Sequence, residues 1–269
     1  MKHSEMFYSN TREFNKMSFE IKNFTNNDDI DVIQQKGNFI VVEYKKDLSV
    51  TPHTAQQEYY AAQLNVRRRQ LIAKLQNTGV TLQAGAMQWT VGDVSATTGI
   101  KGVGDFAKKM FRSAVTDETA IKPEYRGTGI LVTEPTYRHL IILDLDDWNR
   151  ALLVEDGLYL ASDSEVEEKA VPKRTASSVM LGNEGLFNLG LYGTGFVVLE
   201  SPVPESELIT IDLKDDVLRI DGSMAIAWSD TLDFTVERSG KSLIGSAASG
   251  EGLVNVYRGT GRVLMQPVL

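Results

Sequence analysis

Histidine and cysteine, two of the side chains that most often perform catalysis, are scarce in this sequence of 269 residues, which has three histidines and no cysteine. The absence of cysteine excludes disulfides, thiol nucleophiles and zinc–cysteine or iron–sulfur sites. The three histidines, His3, His53 and His139, lie far apart in the sequence, so their spacing does not predict an imidazole metal site. The G-x-S-x-G pattern of a serine nucleophile elbow is also missing. We therefore expect no metal, no cofactor and no enzymatic activity.

One basic cluster could bind an anionic partner. Arg67, Arg68 and Arg69 are consecutive and follow Tyr59 and Tyr60, and such a combination of cations and rings is typical of nucleic-acid contacts. The alternative is a solvated helix face, because three consecutive arginines spread around most of a helix and cannot all be buried. A net charge of −8 and a pI near 5.0 argue against a broad phosphate-binding surface. The sequence favours the solvated face.

Two glycine motifs resemble nucleotide-binding loops. Gly102–Ala107 fits the pattern G-x-G-x-x-A, which needs an apolar strand before it and a full helix after it. Ser95–Gly99 is not such a strand, so we expect a loop. Gly240–Ser242 resembles the end of a phosphate-binding loop, but Thr235 occupies the position of its first glycine. We expect a turn there.

The most informative feature of the sequence is an internal repeat. The tripeptide Gly-Thr-Gly occurs three times, at two successive intervals of 66 residues, and each copy follows a tyrosine and leads into a short apolar run. Glycines on both sides of a small residue fit a tight hairpin, where positive φ and close backbone approach are needed. We predict that the repeated glycines are structural turn residues. They are Gly127 and Gly129, Gly193 and Gly195, and Gly259 and Gly261.

Short apolar runs separated by Gly, Asp and Asn predict an all-β protein. Phe39–Tyr44, Leu140–Leu145 and Leu208–Leu213 are the strands expected to begin the three repeat units. One segment differs, because Thr54–Gln76 contains no glycine or proline and its apolar residues recur at helical spacing. Thr54 and Gln57 match a capping box, so we predict a small helix inserted into the first unit.

Two carboxylates occupy equivalent places upstream of the second and third Gly-Thr-Gly motifs. Glu184 lies in Asn183–Phe187 and Glu251 lies in Gly250–Asn255, and each is expected to accept hydrogen bonds from turn amides. Together with the Gly-Thr-Gly motifs and Ala84–Met87, these segments resemble the altered-inheritance-of-mitochondria family of the TRAP-like superfamily.

This resemblance covers the chain from Asn38 onward and implies a fold. It implies three TRAP-like units, each a short double-stranded β-helix, arranged about a pseudo-threefold axis. It implies no enzymatic activity, although the superfamily's namesake is a ring-forming RNA-binding attenuator. The Thr54–Gln76 insertion and the absence of a Gly-Glu-Gly element in the first unit depart from the family pattern. The expected divisions are an N-terminal segment at 1–28 and units at 29–137, 138–205 and 206–269.

These observations favour a non-enzymatic interaction or scaffold module that self-associates as a homo-oligomer, because β edges and repeated faces promote association. One alternative is an RNA-binding protein that uses Arg67, Arg68 and Arg69. Another is a small-ligand binder or hydrolase with a convergent polar pocket. Met1–Lys22 lacks the apolar core of a signal peptide, and no run of about 18 apolar residues predicts a membrane span, so we expect a cytoplasmic protein.

Overall fold

The structure is a computed structural model that describes residues 18–46, 49–97, 122–172, 174–175, 187–238 and 253–267. Several predicted features lie outside these residues. They are the G-x-G-x-x-A motif at Gly102–Ala107, the Gly240–Ser242 segment, Glu184 and Glu251.

The described residues divide into two compact units that interleave along the chain. The first unit lies within Met1–Gly79, Gly85–Ala96 and Tyr125–Tyr137. The second lies within Val80–Ala84, Thr97–Glu124 and Arg138–Leu269. The arrangement of three TRAP-like units stays a prediction.

The first unit is formed mainly by the elements β1 (Ile30–Lys36), β2 (Phe39–Tyr44), α1 (Ala55–Gln63), β3 (Arg69–Leu82), β4 (Met87–Thr97) and β5 (Glu124–Thr133). Its strands pair in the order β1-β2-β3-β5-β4. Branched aliphatic side chains from four of them meet in one core, because alternate residues of a strand point to the same face. The buried members are Ile30, Ile40, Val42, Ile72, Ile130 and Val132.

The second unit is also built from strands. They are β6 (His139–Asp144), β7 (Ala151–Val154), β8 (Tyr159–Asp163), β9 (Glu167–Pro172), β10 (Arg174–Thr175), β11 (Phe187–Tyr192), β12 (Phe196–Ser201), β13 (Ile209–Asp221), β14 (Ala225–Ser229), β15 (Asp233–Arg238) and β16 (Leu253–Met265). The 3-10 turns are Leu145–Trp148 and Glu205–Glu207.

Two runs of paired strands organise this unit. One places Val80–Leu82, the last residues of β3, beside β8, followed by β12 and β6. The other runs β10-β15-β16-β14-β7-β11-β9, with β13 added along β16. Its core includes three packed rings, Trp228, Phe234 and Tyr257, whose centroids lie 5.0–5.3 Å apart. The predicted all-β fold with a small helical insertion is confirmed.

The inserted helix is shorter than Thr54–Gln76, and that prediction was wrong beyond Gln63. The helix ends where Asn65 adopts a left-handed conformation with φ of 62°, and the chain then enters β3. Arg69–Ala73 are all buried, as expected for a strand with partners on both sides, since β2 and β5 both pair with β3. The apolar spacing of this segment therefore arises from a central strand and not from one face of a helix.

Strands were predicted at Phe39–Tyr44, Leu140–Leu145 and Leu208–Leu213, and these strands are confirmed as β2, β6 and the start of β13. Their role as the beginnings of repeat units stays a prediction. Among the described residues, no helix is long and apolar enough to span a membrane.

The predicted hairpins at the Gly-Thr-Gly motifs were wrong. The first and third copies lie inside β5 and β16, and the second joins β11 to β12, which pair with other strands and not with each other. A Cβ on Gly127 would overlap the backbone oxygen of Asp93, and one on Gly129 would overlap that of Val91. These glycines therefore allow neighbouring backbones to approach closely within a sheet.

Gly127→Ala should destabilise the protein by roughly 3 kcal/mol, because it combines a strained φ of 137° with overlap against Asp93. The control is Gly85→Ala, which tests the conformational strain alone, because Gly85 has a φ of 81° but no neighbouring atom lies within 4 Å of its Cβ position. It should lower the free energy of unfolding by about 1 kcal/mol. Urea denaturation measures both. An equal loss of unfolding free energy in the two variants would contradict the explanation by close backbone approach.

Candidate functional site

The surface around α1 is the candidate functional site. None of the nine residues of α1 is buried, and no side chain caps its N-terminus. Tyr60 and Leu64 are 58% and 79% exposed, and Tyr59 and Val66 are exposed as well. A helix this short is marginal in water without tertiary packing. The α1 surface, defined as Tyr59, Tyr60, Leu64 and Val66, therefore presents apolar area that the described residues of the chain do not cover.

A groove of about 500 Å³ lies beside this helix, and both apolar and cationic side chains form its wall. The helix contributes Glu58 and Tyr59, and Tyr137 contributes a further ring. The cations of this basic groove are Lys45, Lys46, Arg67 and Arg68.

The three predicted arginines have different environments. Arg69 is 1% exposed, and its guanidinium forms an ion pair of 2.6 Å with Glu43, its cross-strand neighbour on β2. The same guanidinium donates to the carbonyl oxygens of Arg67 and Tyr137. Arg69 is thus an internal clamp and not part of a contact patch. The prediction of a solvated helix face was also wrong, because these residues follow the helix.

Arg67 and Arg68 border the groove and are partly exposed. Arg67 lies 3.6 Å from Glu43, and Arg68 lies 3.9 Å from Glu58 on α1. The Nε of Arg68 also donates to the hydroxyl of Tyr137 at 3.0 Å. Glu43 lies closer to Arg69, at 2.6 Å, than to Arg67, at 3.6 Å, so its ion pair with Arg67 is the weaker one. The buried Nε of Arg67 has no hydrogen-bond partner.

Sequence reasoning missed most of the residues that complete this site. Lys45 pairs with Asp31 at 3.1 Å, and Lys46 lies 3.6 Å from Asp29, so both lysines are held at the end of β2. The position of Lys45 and Lys46 directly after a predicted strand was the available signal. No local signal could connect Tyr137 with Arg68, since 69 residues separate them.

The Gly-Thr-Gly motifs have structural roles in the sheets. In the first copy, the hydroxyl of Thr128 accepts a hydrogen bond from the amide of Asn77, a left-handed residue of β3. In the third copy, Thr260 accepts one from the amide of Asp215, a left-handed residue of β13. The same hydrogen bond, from a backbone amide to a threonine hydroxyl, thus stabilises an irregular, left-handed position in two pairs of strands. In the second copy, the amide of Gly193 donates to the carbonyl of Arg150.

The tyrosine near each motif is a packing residue. Burial raises the pKa of Tyr125 and of Tyr257 above the ordinary value. Burial, the charge of Asp230 and a hydrogen bond with it raise the pKa of Tyr192 to about 12. All three hydroxyls stay protonated at neutral pH, which suits packing and hydrogen bonding but not proton abstraction.

A smaller cavity of about 280 Å³ lies in the second unit. Asp230, Asp233 and Asn188 contribute polar atoms to its wall, and the buried Oδ1 of Asn188 has no hydrogen-bond partner. In the described part of the chain, no group of three or more His, Asp or Glu side chains is placed to hold a metal ion.

The fold and the site define an all-β protein with an inserted helix that presents apolar side chains beside a basic groove. The chain belongs to the mitochondrial biogenesis AIM24 family, whose model matches residues 64–268. It is 27% identical over 194 residues to an uncharacterized protein of Streptococcus pyogenes serotype M6, covering 70% of this chain and 76% of that protein. A crystal structure of a Streptococcus pyogenes protein is similar, with 25% identity and a TM-score of 0.56 over 76% of this chain and 89% of that one. The family resemblance predicted from the motifs is confirmed.

Glu43→Gln should destabilise the protein by about 3–5 kcal/mol, because it leaves the buried guanidinium of Arg69 without its counter-charge. The matched control is Glu58→Gln, which removes a longer and more exposed ion pair with Arg68 and should cost less than about 1 kcal/mol. Urea denaturation of both variants gives the two free energies of unfolding. Similar small losses would show that the Arg69 clamp does not depend on Glu43.

Proposed function

We propose that this chain is a non-enzymatic interaction module that self-associates through the α1 surface. The observation that carries the proposal is a helix with no buried side chain that nevertheless displays two tyrosines and is followed directly by an exposed leucine. Contiguous exposed apolar side chains rimmed by polar groups mark protein contact surfaces. Coverage by a partner would supply the packing that α1 lacks within its own chain.

The composition of this surface supports protein binding. Tyr and Arg are enriched at the centres of protein interfaces, because they combine large apolar area with directed hydrogen bonds. Tyr59, Tyr60, Arg67 and Arg68 bring both types together along one helix and its adjoining groove. No observation favours RNA over protein, since Arg69 is buried and Arg67 and Arg68 each have a carboxylate neighbour.

Light scattering at tens of micromolar should give a mass above that of the 29.8 kDa monomer. Tyr60→Ser combined with Leu64→Ser should weaken association by roughly tenfold or more, because two exposed apolar anchors are lost. The matched control is Ile33→Ser, which removes an exposed aliphatic side chain from β1 and should leave the mass unchanged.

At protein concentrations low enough for the unaltered protein to be monomeric, both variants should unfold at the same denaturant concentration as the unaltered protein, since the substituted side chains are exposed. A strictly monomeric unaltered protein at these concentrations would refute self-association. An equal effect of Ile33→Ser would refute the assignment of the contact to α1.

A further inference from the structure

One side of α1 borders the basic groove instead of packing against a core. Ala55, Glu58, Tyr59 and Ala62 line the groove, and their spacing of three and four residues places them on the same side of the helix. A surface helix usually buries such a side against the body of the protein. Here that side meets a groove of about 500 Å³, and no residue of the helix is buried. The groove therefore takes the place of the core contact that α1 lacks.

The groove has the size and composition of a small-molecule site. Its uncharged wall combines tyrosine rings with small and aliphatic side chains, namely Tyr44, Val50, Ala55, Tyr59, Ala62, Val66 and Tyr137. Sites for small organic ligands are mostly apolar clefts of ~300–1,000 Å³ with a few polar groups. A single organic molecule in the groove would contact the inner side of α1 and supply the packing that is missing there.

The cations of the basic groove favour a neutral ligand over an anion. Lys45 and Lys46 lie 3.1 and 3.6 Å from carboxylates, and Arg67 and Arg68 lie 3.6 and 3.9 Å from theirs. An anionic ligand would have to compete with these carboxylates for the same cations, and a cationic ligand would be repelled by them. A molecule without charge leaves all four ion pairs as they are.

We propose that the basic groove binds a small neutral molecule that carries an aromatic ring and packs against the inner side of α1. Aromatic rings make favourable edge-to-face and offset contacts with one another, and three tyrosine rings line this groove. The site differs from the contact proposed for self-association, because its anchors, Tyr60 and Leu64, do not line the groove. Tyr60 projects away from Ala62, since two residues turn a helix by about 200°.

Two fluorescent probes with the same ring system test the inference. N-phenyl-naphthylamine is neutral, whereas anilinonaphthalene sulfonate carries one negative charge, and both become fluorescent in apolar surroundings. At protein concentrations low enough for a monomer, one neutral probe should bind per chain, roughly tenfold or more tightly than the sulfonate. Equal or tighter binding of the sulfonate would overturn the preference for a neutral ligand.

A substitution inside the groove locates the bound probe. Ala62→Trp places a large ring in the groove and should weaken binding of the neutral probe by roughly tenfold or more, because the ring occupies the same volume. The matched control is Gln56→Trp, which adds the same ring at an exposed position of α1 that does not line the groove. This control and Tyr60→Ser with Leu64→Ser should bind the probe like the unaltered protein.

Two further measurements support the variants. Circular dichroism during urea unfolding verifies that each variant is folded. In nuclear magnetic resonance spectra of the unaltered protein, the neutral probe should shift the backbone amide resonances of Ala55 and Ala62, so the location of the site does not depend on a substitution. Unchanged resonances of both residues at saturating probe would refute the groove as the site.

The outcomes separate this site from the proposed self-association. If the neutral probe does not bind the monomer, the ligand site is refuted while self-association stands. If Tyr60→Ser with Leu64→Ser abolishes probe binding and Ala62→Trp does not, the probe binds the outer side of α1 and the groove is refuted. If a second copy displaces the probe as the protein concentration rises, the groove belongs to the contact between copies and the small-molecule assignment fails.

Discussion

The buried ion pair between Arg69 and Glu43 is the interaction on which the candidate site depends most. It joins the end of β2 to the beginning of β3, where the two residues are direct cross-strand neighbours. The same guanidinium binds the carbonyls of Arg67 and Tyr137, so one side chain fixes three chain segments. Backbone hydrogen bonds between Arg69 and Thr136 add to this clamp. Because those segments carry the walls of the basic groove, its shape follows from a charge that is costly to leave unpaired.

A second constraint is the close approach of neighbouring backbones, which the glycines of the Gly-Thr-Gly motifs allow. Gly127, Gly193 and Gly259 all have positive φ, between 107° and 137°, a conformation that side chains disfavour. In the first and third motifs, the central threonine then satisfies the amide of a left-handed residue on the paired strand. The repeated tripeptide thus encodes a local irregularity of a sheet, and this explains why glycine and threonine recur together without any reactive group.

The sequence was sufficient for the features that depend on local pattern. Strands such as Phe39–Tyr44 could be predicted because apolar and β-branched residues are contiguous there. The start of α1 was predicted from a capping box at Thr54 and Gln57, and the helix does begin after Thr54, although no side chain caps it. The end of α1 could not be predicted, because the spacing of Leu71, Ile72 and Leu75 fits both a helix face and a strand buried on two sides. Pairing of β3 with β2 and β5 decides between these, and pairing is not local.

The same limit applies to the candidate site. Three adjacent arginines look equivalent in sequence, yet Arg69 faces Glu43 across a strand pair while Arg68 contacts Glu58 on the helix. Only the fold distinguishes an internal clamp from groove residues. The basic cluster therefore marked the region of the groove, but its members could not be assigned separate roles without their distant partners.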